Sequence, residues 1–209
     1  MTEKNIRPAD EGLSTSQILD AARTHVRRYG ENKTNVVDIA RILGTSHTTI
    51  YRYFRSKAEV FDAIVLQTMN DEEELAKTFI GGSEPAGKRL TDLVLTLHRR
   101  KLERFSNDPE VYQLYRRVVI ERPDIVKNYA NAIVRLIVTI LEEGVKAQEF
   151  KLDDVQAAAE VVRDAVTVFV HPAHVETSAR SGISMEPAIK RVLMTLITAF
   201  ASGITFTHP

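Results

Sequence analysis

Apolar residues recur along this chain three and four positions apart, the spacing of one helix face, and no alternating strand pattern stands out. Ser14-x-x-Gln17 reads as a capping box, in which serine accepts from the backbone and glutamine reaches back. The helix it starts carries Ile18, Ala22, Val26 and Tyr29 on one face and stops at Gly30. Thr34 or Asn35 caps a second helix with Val36, Ile39, Ala40 and Leu43 in register, and Gly44 ends it. Ser46 caps a short third helix that reaches about Tyr53. Ser56-x-x-Glu59 opens a long fourth helix, with Val60, Phe61, Ile64, Thr68, Leu75 and Phe79 along its buried side.

Beyond a linker-like stretch at 81–87 (GGSEPAG), five more helices are predicted. They cover about 88–106, a segment opened by Pro109, one from Pro123 to about Ala147, one from Asp153 or Asp154 to His171-Pro172, and one from Pro187 to about Gly203. The fold class is all-α, with about nine helices.

The last two helices are the most apolar. Val155, Ala159, Val162 and Val166 share one face of the penultimate helix, and Val161, Ala165 and Val168 widen it. Ile189, Val192, Leu193, Leu196, Ile197 and Phe200 form a stripe on the last. A helix that is apolar on two sides must be covered on two sides. The second cover is either a second copy of the chain or more of the same core, and the pattern alone leaves both open.

The 28 basic and 28 acidic residues cancel, yet they are unevenly placed. Residues 1–57 hold ten basic against six acidic side chains, a net of +4, and the remainder holds 18 against 22, a net of −4. A basic N-terminal quarter points toward a polyanion at that end. The chain has no cysteine, which removes disulfides, thiolate metal sites and cysteine nucleophiles. The polar start MTEKNIRPADEG does not read as a signal peptide, and the apolar run 132–141 is short and broken by Arg135, so no membrane partner is expected and a cytoplasmic location is.

Residues 34–57 hold the pattern that carries function. A helix, a tight turn at Gly44 and a short second helix make a helix-turn-helix, whose second helix fits the DNA major groove. Ile50 and Phe54 form the inward face of that helix, with Tyr51 beside them. His47, Thr48, Thr49, Arg52 and Tyr53 are left for the outward face, and these types can touch a base edge or a phosphate. Lys57, in the first turn of the long helix, and Thr34, at the start of the bracing helix, are placed for phosphate.

Residues 14–64 resemble the DNA-binding domain of the tetracycline-repressor (TetR) family of transcriptional regulators. The matching positions are Gly30, Thr34, Val36, Asp38-Ile39-Ala40, Gly44, Ser46, Ile50-Tyr51, Tyr53-Phe54, Ser56-Lys57 and Glu59. Thr45 departs from the small aliphatic residue usual there.

The resemblance implies a homodimer that binds a palindromic double-stranded DNA operator, usually as a repressor, and releases it when a small, largely apolar effector enters the C-terminal domain. No cofactor is implied. By position, Thr34, Tyr51, Tyr53 and Lys57 would hold phosphates. Ser46 caps the reading helix, and His47, Thr48, Thr49 and Arg52 would include the base readers. Tyr51 would combine a packed ring with a hydroxyl on phosphate. The division expected is a flexible tail over 1–13, the DNA-binding domain over 14–57, and a ligand-binding and dimerisation domain over 58–209. The pocket candidates are Leu97, His98, Phe105, Tyr112, Tyr115, Tyr129 and Phe169, each of which also suits plain core.

The remaining signals read as ordinary structure. His171 and His174 have a metal-like spacing, but Pro172 breaks the helix and no third ligand is near, so no metal is expected. The acidic run Asp71-Glu72-Glu73-Glu74 reads as a solvated face, and Arg99-Arg100-Lys101 and Arg116-Arg117 read as surface charge. No nucleophile elbow or phosphate loop appears, so an enzyme is not the expectation. Two alternatives stay open: a DNA-binding regulator controlled by protein partners without an inducer, and an all-α enzyme whose site is assembled from scattered residues.

Overall fold

A computed structural model describes residues 12–206, and among them are ten helices and no strand. Residues 1–11, which include most of the expected tail, lie outside the described residues. The chain divides into two compact units: one running to Thr68 together with Asp108–Val118, the other Met69–Asn107 together with the chain from Val119. The boundary expected from the sequence is 57/58. The first unit reaches eleven residues further, because Val60, Phe61, Ile64 and Val65 carry its buried stripe past that point.

In the first unit, α1 (Thr15–Tyr29) begins as the sequence implies. Ser14 Oγ accepts from Gln17 N at 3.2 Å, and Gln17 Oε1 accepts from Ser14 N at 2.8 Å. Ile18, Ala22 and Val26 are buried, but Tyr29, expected beside them, is exposed and lies against His25 and Arg28. α2 (Val36–Ile42) ends in a Schellman turn. Gly44, at φ 64°, donates to the Arg41 carbonyl, and Thr45 N donates to that of Ala40. A side chain at that φ would be strained, which is why glycine stands there. α3 (His47–Tyr53) follows, and α4 (Lys57–Lys77) after it. Ser56 Oγ accepts from Glu59 N, but the Glu59 carboxylate takes the N–H of Arg55 rather than that of Ser56, so the second capping box is only half closed.

α6 (Pro109–Glu121) belongs to this unit as far as Val118, and charge ties it and the residue before it to the end of α1 and the turn that follows. Arg27 donates to Asp108 at 2.8 Å, and Arg117 forks onto Glu31 at 2.7 and 2.9 Å.

The second unit is organised around α5 (Ala86–Asn107), which contacts α7 (Pro123–Lys146), α8 (Val155–Val170), α9 (Pro172–Arg180) and α10 (Glu186–Ser202). Leu90, Leu93, Leu97, Ile137, Ile140, Leu141, Ala158 and Val162 are at its centre. Three expectations change here. Ala86 and Gly87, read as linker, already belong to α5. The turn before them is pinned by Arg89, which bonds the Phe79 and Glu84 carbonyls and the Glu143 carboxylate. Pro172, read only as a helix end, also starts α9, since a first helical position needs no N–H.

Finally, most of the two stripes, which the pattern leaves open as dimer seam or core, faces this unit's own core. Ala159, Val162, Val166, Ile189, Leu193 and Phe200 are buried, and Val155, Val192, Leu196 and Ile197 are half-buried. Periodicity marks a buried face correctly, but its cover comes from α5 and α7 of the same chain.

Gly144 on α7 lets Phe150 and Ala86 close over the helix. A Cβ built there would meet the Phe150 ring and lie 2.9 Å from Ala86 Cβ. Gly144→Ala is therefore expected to destabilise the protein by about 1–3 kcal/mol through overpacking. Urea unfolding measures this, and an unchanged midpoint would contradict the packing described.

Candidate nucleic-acid interface and effector region

α3 has only seven residues, so its neighbours must hold it in place. Ser46 Oγ accepts from Thr49 N at 3.1 Å and lies 2.9 Å from Thr49 Oγ1. Ile50 and Phe54 are buried, and α3 contacts α2. The opposite face is open: His47, Thr48, Tyr51 and Arg52 form one exposed surface, with the His47 and Tyr51 rings meeting edge to face. These four are where an i, i+1, i+4, i+5 set must fall on a helix.

Some expected contact residues take other positions. Thr34 is fully buried: its hydroxyl donates to the Gly30 carbonyl at 2.8 Å and accepts from His25 Nδ1 at 3.0 Å. It locks the α1–α2 corner. Thr49 is buried too, because its hydroxyl belongs to the cap of its own helix. Tyr51, whose ring is expected to be packed, is 46% exposed. Tyr53 is exposed, with its hydroxyl donating to the Leu13 carbonyl at 2.6 Å. Lys57 is half-buried, with its ammonium 5.2 Å over the Phe61 ring.

The pocket candidates separate between the units. Tyr112 and Tyr115 are buried residues of the first. Leu97, His98, Phe105, Tyr129 and Phe169 belong to the second. His98 Nδ1 donates to the Phe169 carbonyl at 2.8 Å, which fixes its tautomer and ties α5 to α8. A shallow groove of about 420 Å³ lies elsewhere in that unit, between the first turns of α5 and the outer side of α10, bordered by Lys88, Glu149, Lys190 and Met194.

A charged cluster in the second unit is absent from the sequence-based expectations. Glu72 of α4 is 3% exposed and accepts from Lys101 Nζ at 2.6 Å, Arg104 Nη1 at 2.9 Å and the Tyr129 hydroxyl at 2.6 Å. The Lys101 ammonium lies 5.4 Å over the Tyr129 ring. Burial alone would raise the Glu72 pKa, but the two cations and the bonds from Lys101 and Tyr129 outweigh it and hold the carboxyl below its usual range. One member each of the acidic and basic runs thus points inward. The signal is present in the sequence: Glu72 stands four after Thr68, on a stripe read as buried, and Lys101 four after Leu97, a pocket candidate.

Among the described residues no group of three or more side chains is arranged to hold a metal. His171 and His174 have ring centroids 5.5 Å apart. Among the described residues no helix is long and apolar enough to cross a membrane.

Residues 18–64 match the family model for bacterial regulatory proteins of the tetR family, and residues 86–189 match that for the tetracyclin repressor-like C-terminal domain. The fatty acid metabolism regulator protein of Bacillus subtilis is 27% identical over 148 residues, covering 70% of this chain and 76% of the relative. Among solved structures, FadR of Bacillus subtilis in complex with stearoyl-CoA aligns with a TM-score of 0.59 at 19% identity, covering 88% of this chain and 98% of that one. A transcriptional regulator from Cytophaga hutchinsonii aligns with a TM-score of 0.66 at 19% identity, covering 88% and 96%. Both structural likenesses concern the fold.

Proposed function

We propose, from the premise that this chain belongs to the TetR family of DNA-binding transcriptional regulators, that it is an effector-responsive repressor acting on a palindromic operator as a homodimer. The family is one of regulators and not of enzymes. The observation that carries the reading is the open face of α3, where His47, Thr48, Tyr51 and Arg52 stand on a helix braced from behind by Ile50 and Phe54. Arginine can grip guanine with two bonds, threonine offers its methyl to thymine, and histidine can donate or accept at a base edge. Tyr53 and Lys57 flank that face and are assigned to phosphates. The Thr34 and Thr49 side chains leave the contact set because both are buried.

Dimerisation is assigned to the outer sides of α8 and α10. Val161, Val168 and Met194 are exposed large apolar side chains there, with Ala165 beside them and Val155, Val192, Leu196 and Ile197 at the margin. A two-fold dimer matches a palindrome when its reading helices lie roughly 34–36 Å apart, one DNA turn. The effector is assigned to the second unit, along Leu97, His98, Phe105, Tyr129 and Phe169. It acts by binding one spacing of the reading helices better than another. Because a similar regulator was crystallised with stearoyl-CoA, ligands with an acyl chain are the first class to test.

Band-shift titration on the palindrome upstream of the protein's own gene tests the DNA contacts. The double variant Tyr53→Ala, Lys57→Ala is expected to bind at least about tenfold more weakly. Its affinity should also fall less steeply with salt, because fewer counterions are released from the DNA. Undiminished binding would contradict the assignment. Sedimentation equilibrium tests the dimer face. Met194→Glu, at a side chain 63% exposed, should leave the fold intact and shift the dimer toward monomer. An unchanged mass distribution would move the interface elsewhere.

A further inference from the structure

The Glu72 cluster does more than a surface ion pair does. Removing a carboxylate and an ammonium from water is costly, and apolar residues of similar volume would often serve stability as well or better. Yet Glu72 and Lys101 are 3% and 2% exposed, and three donors from two other helices, α5 and α7, converge on one carboxylate of α4. The distances of 2.6, 2.6 and 2.9 Å mean that the donors are already set for a carboxylate.

The surroundings have a direction. Along α5, Leu97, Lys101 and Phe105 stand four apart and His98, Lys101 and Arg104 three apart, so all five share one face that combines apolar and cationic groups. Leu97 and His98 are buried, and His98 is bonded to the Phe169 carbonyl. A molecule lying along this face would meet apolar side chains first and the Lys101–Arg104–Tyr129 donors at its end.

We infer that these donors are the polar end of the effector site, that the effector is an organic acid with an apolar body, and that its carboxylate binds by displacing Glu72. This inference rests on the reading of the second unit as effector-binding. Glu72 is a built-in stand-in for the ligand's head group. Two carboxylates cannot share the same donors at hydrogen-bond distance, because like charges so close destabilise each other. The incoming acid therefore releases Glu72, and with it the grip of α5 and α7 on the C-terminal half of α4. The N-terminal half of that helix belongs to the DNA-binding unit, so both binding events act on one element.

Calorimetric titration of the full chain with octanoate, octanol and octanoyl-CoA tests this without DNA. Octanoate should bind wild type at least tenfold more tightly than octanol. Glu72→Gln, which leaves a weaker competitor of the same shape, should bind octanoate at least tenfold more tightly still. The paired variant Glu72→Gln, Lys101→Met removes both buried charges together and guards against a fold that fails on one; it should lose the preference for octanoate. Equal binding of octanoate and octanol, octanoate affinity indifferent to Glu72→Gln, or no binding to either protein would overturn the inference. So would octanoyl-CoA binding tighter than octanoate and indifferent to Glu72→Gln, which would place the acyl end away from this cluster. A protein that binds octanoate as described but no duplex DNA would instead defeat the repressor reading and leave the acid site standing.

Discussion

A seven-residue helix cannot hold itself together in water, and α3 is such a helix. Everything proposed for DNA binding depends on its being held from one side only. Gly44 supplies the left-handed turn that sets its direction, the Ser46 hydroxyl takes the Thr49 amide, and Ile50 and Phe54 fix its back. With its back anchored in this way, the exposed face carries imidazole, hydroxyl, phenol and guanidinium groups. The same economy explains the buried threonines. Thr34 locks the α1–α2 corner and Thr49 closes the α3 cap, so each stiffens the platform on which the exposed residues stand.

The second unit answers a different constraint. Its core is apolar and densely packed around α5, yet an ionised glutamate sits within it, held by a lysine, an arginine and a tyrosine. Such a group is tolerated only while every partner stays in place. The cluster lies on α4, a helix whose residues are shared between the two units.

Much of the fold is legible in the sequence because its signals are local. The Ser14 capping box, the glycine turn at Gly44 and the stripe from Val60 to Ile64 each depend on residues within a few positions of one another. The failures share a cause. Helical periodicity reveals that a face is covered without revealing what covers it, so Ile189, Leu193 and Phe200 read equally well as a dimer seam or as core. Threonine suits either side of a helix, and for Thr34 and Thr49 the choice depends on a neighbouring carbonyl or hydroxyl. Glu72 and Lys101 are hidden by their exposed neighbours: a run of like charges suggests solvent, although roughly three or four residues in every two turns of an amphipathic helix turn inward.

Methylation interference on a duplex that the protein shifts in a band-shift assay tests most directly whether α3 reads the major groove. Guanine N7 faces that groove and adenine N3 faces the minor groove. We expect guanine N7 methylation to block binding in two half-sites about one helical turn apart, with adenine N3 methylation between them tolerated. Interference confined to adenine N3, or none at guanine in either half-site, would contradict a reading head built on His47, Thr48, Tyr51 and Arg52.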